Sequence, residues 1–183
     1  SYSLISNLIL ISSLFLIMSS IFDVFKKKIW NLPRIISHLS FGFLILFIGL
    51  NHNFSVEKDF NLKLGEIKKI DNYEFSLLDL KLNQENNYKA VVGKLEVSNL
   101  NTMEKRILKP EIRIYDNPQT LTYEASIQTN FLGDHYLTMS NIDRSEYYNI
   151  KFQHKPLMIW IWISVVLLSF GGFLSLFKNA KNN

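Results

Sequence analysis

Charged side chains are missing from three stretches of the chain, residues 1–22, 35–56 and 156–177, and Leu, Ile, Phe and Val dominate all three. At a rise of about 1.5 Å per residue, a helix of that length reaches roughly 33 Å, enough for a hydrocarbon core of about 30 Å. The pattern predicts transmembrane helices over residues 4–22, 35–50 and 156–177, with Pro33 suited to the first turn of the second. Between the second and third helices the period falls to two. Ile112 and Ile114 alternate with Arg113 and Tyr115, and Tyr148, Ile150 and Phe152 alternate with Asn149, Lys151 and Gln153. Similar runs cover residues 60–64, 73–82, 89–97, 121–127 and 134–139, and connections at 83–87, 99–104 and 116–118 bear Asn or Pro. Seven or so short strands at this spacing predict a small all-β barrel or sandwich over residues 51–155. About 100 residues suffice for such a domain to bury its own core. The fold class is therefore a membrane protein of three transmembrane α-helices with a small all-β extracytoplasmic domain.

Charge orients this arrangement. The net charge is +4 over 183 residues, but it is unevenly placed. Outside residues 51–155 the basic residues Lys26, Lys27, Lys28, Arg34, Lys178 and Lys181 face Asp23 alone, a net +5, whereas the middle segment sums to −1. Short loops rich in Lys and Arg stay in the cytoplasm. The loop at residues 23–34 and the tail at 178–183 are thus expected inside, and the β domain outside. Trp30 at the inner end of the second span, and Trp160 with Trp162 at the outer end of the third, suit aromatic belts. No basic stripe with interleaved aromatics survives, which argues against nucleic-acid binding. The first stretch has no basic region before it and no small-residue cleavage pattern, so it reads as a span rather than a signal peptide. With a Ser start, the chain reads as a piece of a longer membrane protein. Zero cysteines exclude disulfides, thiolate metal sites and a cysteine nucleophile.

An ionisable residue inside a span is a functional candidate, because a partner must offset its cost. His38 is the clear case. Gly42 and Gly49 follow at i+4 and i+11 and share its face, which would leave room for a flat ligand, and imidazole is a usual axial ligand of b-type haem. The other reading is a helix-packing face, with the glycines for close approach. His52 sits where the second span ends. Asp134–His135 invites a triad, but no nucleophile elbow accompanies it; His154 lies next to Lys155. Glu57, Asp59, Glu124 and Asp134 read as solvated strand-end charges.

The run PRIISHLSFGFLILFIGLNHNFSVEKDFNLKLGE, Pro33 to Glu66, resembles the CcmF family of cytochrome c maturation proteins. There a helix with an Ala/Gly-His-x-Gly motif leads into a "YSVERD"-like start of the last periplasmic domain. The likeness continues through YEFSLLDL (73–80), KPEIRIY (109–115), LTYEASI (121–127) and DHYL (134–137). It closes on KPLMIWIWISVVLLSFGG (155–172).

The resemblance implies a haem lyase of the bacterial inner membrane, or of mitochondria that keep this pathway. Such a lyase takes haem from a CcmE-type chaperone. With CcmH/CcmI-type subunits it joins haem to the cysteines of an apocytochrome c. It also implies that His38 is one axial ligand of a resident haem b, the second lying outside this chain. The family's glycine two residues after the histidine is Ser40 here, and its tryptophan-rich segment is absent. The chain thus resembles only the C-terminal part, a fragment or a split-gene product, expected to be inactive by itself. No catalytic residue is carried over, nor any role for His52, His135 or His154. The alternative is a membrane-tethered β scaffold that docks a partner and binds no cofactor.

Overall fold

The computed structural model describes residues 4–27, 31–142 and 145–180. Lys28, Trp30 and Lys181, which carried part of the charge and belt arguments, lie outside the described residues. Two compact units emerge. One comprises residues 1–55, 130–133 and 155–183, and the other residues 56–129 and 134–154.

The first unit is helical: α1 (Leu4–Lys27), α2 (Leu32–Phe54) and α3 (Met158–Ala180). All three are long and apolar enough to cross a membrane. They run past the uncharged stretches, because a helix need not stop where the hydrocarbon does. α2 begins before Pro33 and holds it in its first turn, where a missing N–H costs nothing. Several serines of α1 and α3 are satisfied within their own helix. Ser13 donates to the Leu10 carbonyl (2.7 Å), Ser20 to Leu16 (2.8 Å) and Ser164 to Trp160 (2.8 Å), so these hydroxyl protons are not stranded in lipid; Ser6 instead donates across to Asn53 of α2.

Small residues set the helix contacts. A Cβ on Gly42 would lie 2.7 Å from Ile17 Cγ1, and one on Gly49 would lie 3.1 Å from Leu10 Cδ2. α1 therefore packs on that face of α2. On the other side, a Cβ on Gly171 would meet Ser37 Oγ and come within 2.8 Å of the Ser37 amide nitrogen. The end of α2 meets the start of α3 through Asn51, whose Nδ2 donates to the Pro156 carbonyl at 2.5 Å.

The second unit is a β-sandwich. Its strands are β1 (Val56–Lys63), β2 (Ile67–Ile70), β3 (Tyr73–Gln84), β4 (Tyr88–Asn99), β5 (Glu104–Leu108), β6 (Glu111–Asp116), β7 (Gln119–Glu124), β8 (Ser126–Asn130), β9 (Gly133–Asn141) and β10 (Tyr147–Pro156). One sheet runs β1-β10-β9-β8; the other runs β2-β3-β4-β6-β7, with β5 also on β4. Alternate residues face inward: Tyr73, Phe75 and Leu77 from β3, and Leu95 and Val97 from β4, meet Phe60, Leu62, Leu137, Met139, Ile150 and Phe152 of the other sheet. Phe75 and Phe152 make an edge contact at 5.2 Å and 66°. Each fully buried side chain of this size contributes about 1.5–3 kcal/mol.

Three details depart from the sequence pattern. β2 and β5 are short polar-flanked strands whose alternation is too brief to stand out. The run at 121–127 is two strands, because the chain leaves one sheet after Glu124 and joins the other at Ser126. At this crossing the Lys109 amide donates to Ser126 Oγ (2.9 Å). β4 pairs first with β6 and then with β5, changing partner at Gly93, whose N–H bonds the Pro110 carbonyl at 2.9 Å. Met139 Sδ would be 2.8 Å from a Cβ there, so any larger residue would have to displace the Met139 side chain from the core.

Candidate functional site

α2 carries His38 about two turns from its start, exposed on the helix surface. It lines two clefts. The narrow one, about 30 Å³, is shared with Ser20, Asp23, Val24, Asn31, Arg34 and Ile35. Within it Arg34 donates to Asp23 at 3.4 Å, an ion pair between the ends of α1 and α2. The wider one, about 350 Å³, lies towards α3 and is lined by Asn31, Pro33, Arg34, Ser37, Gly172 and Ser175. That is at the lower end of ligand-pocket volumes, about 300–1,000 Å³. A Cβ on Gly172 would meet nothing within 4 Å, so glycine leaves open space beside the imidazole.

This revises the role of the small residues in α2. Gly42, Gly49 and Ser40 are buried, and α1 fills the space over both glycines. Any room for a flat ligand comes from Gly172 of α3, not from the glycines that follow His38. Among the described residues no three His, Cys, Asp or Glu side chains cluster as a metal site. His38 can therefore offer one nitrogen donor, and an iron with two axial positions would need a second from elsewhere.

His52 is exposed in the last turn of α2. The remaining histidines come together in the sandwich. His135 of β9 and His154 of β10 stack with ring centroids 4.4 Å apart at 32°, and His135 lies 5.9 Å from the Phe152 ring. Both Nδ1 atoms are buried without a hydrogen-bond partner. Burial, then His154, then Arg106 pull the His135 pKa down to about 4. Burial also lowers that of His154, opposed by its hydrogen bond to the Asp134 backbone. Stacked, neutral and proton-poor, the pair behaves as core.

Asp134 is not a solvated strand-end charge: it is 6% exposed and accepts from Tyr136 Oη at 3.0 Å. Its parity is that of Tyr136 and opposite to that of His135, Leu137 and Met139, so it is buried on the face of β9 that turns away from the sandwich core. Glu57 and Asp59 are exposed; Glu57 pairs with Lys151 (2.7 Å), and Asp59 accepts from Asn149 (2.7 Å). Glu124 accepts from Thr122 at 3.1 Å. The histidine pair was findable from sequence, since His135 shares the parity of Leu137 and Met139, and His154 that of Ile150 and Phe152.

Residues 53–156 match the family described as "CcmF C-terminal beta-sandwich". The chain is 28% identical over 141 residues to the cytochrome c-type biogenesis protein CcmF of Escherichia coli (strain K12), covering 77% of this chain and 22% of that protein. To CcmF of Haemophilus influenzae it is 26% identical over 152 residues, covering 83% and 23%. The solved structure titled "Cytochrome c Heme Lyase CcmF" superposes with a TM-score of 0.58 at 16% identity, over 76% of this chain and 23% of that one. This likeness shows a shared fold. The chain spans 22–23% of the length of these relatives.

Proposed function

This chain belongs to the CcmF family of cytochrome c-type biogenesis proteins, and on that premise we propose that it is the C-terminal part of a haem lyase of the bacterial inner membrane. In this reading His38 holds one axial position of a b-type haem, and the sandwich lies in the periplasm. The observation that carries the ligand role is the exposed His38 imidazole beside the open space left by Gly172. The ring donates a nitrogen, the glycine admits a planar group against α3, and the second ligand comes from outside the chain. Bound there, haem would supply one-electron chemistry. The wider assembly takes haem from a CcmE-type chaperone and, with CcmH/CcmI-type subunits, attaches it to apocytochrome c. The relatives titled "Cytochrome c-type biogenesis protein CcmF" support a place in cytochrome c biogenesis.

The scaffold reading rests on a different observation: α1 covers Gly42 and Gly49, as a packing face would require. One spectrum separates the two. In the full membrane assembly His38→Ala should lose the reduced b-type absorption while the β-sheet circular dichroism is unchanged. An unaltered haem spectrum rejects the ligand role and favours the scaffold.

A further inference from the structure

β8 and β9 are joined by a turn of two residues, Phe131 and Leu132. Turns this tight normally take Asn, Asp or Gly at their centre and face water. Here the pair is large and apolar, with Phe131 70% and Leu132 76% exposed. The turn is also held by the helices. The Leu157 amide donates to the Leu132 carbonyl (3.0 Å), and Trp160 Nε1 donates to the Phe131 carbonyl (2.9 Å). Asn130 Oδ1 accepts from the amides of Leu132 (2.9 Å) and Gly133 (2.8 Å). Both carbonyls of the apolar pair and the Leu132 amide are thus paired, and both apolar side chains are turned outward.

That combination fits entry into lipid. Irregular backbone is tolerated near hydrocarbon only when its polar groups are satisfied, and this turn's carbonyls are. Its surroundings are apolar and lie at the end of a candidate span. The turn bonds to the first residues of α3, a helix long enough to span. Trp160 packs on Phe47 of α2 at 5.9 Å, and Trp162 (62%) is exposed nearby in sequence. Phe54 (53%) is exposed at the end of α2, the end that meets the start of α3. Indole rings at a span end mark the headgroup level.

We infer that the Phe131–Leu132 turn inserts into the interfacial layer of the bilayer that α3 enters, a lipid anchor contributed by a β-hairpin rather than by a helix. It stands whether or not His38 binds haem.

The absence of cysteine makes the test direct. An environment-sensitive fluorophore is placed on Leu132→Cys, and separately on Asn86→Cys in the exposed β3–β4 turn. The full chain is then reconstituted in phosphatidylethanolamine–phosphatidylglycerol vesicles. Both positions are exposed, so neither label disturbs packing; circular dichroism confirms the fold. The label at 132 should be blue-shifted against that at 86, quenched several-fold more strongly by brominated lipid, and protected from aqueous iodide. Iodide quenching equal to that at 86 overturns the inference, as does shielding from both quenchers, which would mean that protein covers the turn.

Discussion

His135 is 7% exposed and stacked on a second histidine, with Arg106 close enough to disfavour its proton and the Glu104 carboxylate on Arg106. The charged and titratable neighbours are thus His154, Arg106 with Glu104, and Asp134 beneath Tyr136. The sign of the pH effect follows from the pKa in each state. Unfolded, the imidazole takes a proton near pH 6.5; folded, it resists until about pH 4. Between those values the unfolded chain binds more protons. The contribution of this ring to stability is therefore fully present above pH 6.5 and is lost as pH falls to about 4. The loss is on the order of 3 kcal/mol, shared in part with His154. Denaturant unfolding of the chain in detergent should show a midpoint that declines across that window. His135→Phe, which keeps a flat apolar ring against Phe152, should flatten the decline while leaving the midpoint at pH 8 nearly unchanged. A slope unaltered by the substitution would assign the acid sensitivity elsewhere.

At the level of elements, two adjacent glycines in α3 make opposite predictions. Gly171 faces the Ser37 backbone, and a Cβ there would be 2.8 Å from its nitrogen; Gly172 faces open space. A backbone atom cannot rotate away as a side chain can, so Gly171→Leu must push α2 and α3 apart, at a cost of about 1–3 kcal/mol. Gly172→Ala should be close to neutral for stability. Thermal unfolding in detergent distinguishes them, and equal effects would contradict the α2–α3 packing. The same helices show what a sequence can and cannot say. Although barrel and sandwich were not told apart, the three spans and an all-β domain between them were legible, because long apolar runs mark the first and period-two alternation the second. The partners of the small residues were not. Gly42 and Gly49 share the His38 side of α2 by spacing, yet α1 occupies them, while the glycine that opens space beside His38 is Gly172, 134 positions away along the chain. Periodicity ranks faces but does not say which neighbour lies on each. The Phe131–Leu132 turn escaped for a related reason: an apolar pair between strands looks like more strand until its carbonyls are seen to bond α3.

For the whole molecule, the informative quantity is where the charge lies. A sum of +4 on a soluble protein would invite an acidic partner. Here the excess belongs to the helix flanks, and the segment between α2 and α3 is nearly neutral. Lys and Arg near span ends hold a loop in the cytoplasm, so the start of α2 is expected inside and the sandwich outside. This placement bears on the proposed haem site. His38 is six residues from Leu32, about 9 Å along the helix, so in this orientation the proposed ligand would lie in the cytoplasmic half of the bilayer. Single cysteines in this cysteine-free chain test the orientation in intact cells. Asn86→Cys should react with a membrane-impermeant maleimide without permeabilisation, and Leu32→Cys, 57% exposed at the start of α2, only after it. The reverse result would invert the chain and place His38 in the outer half. Labelling of both positions in intact cells would mean that α2 does not span at all.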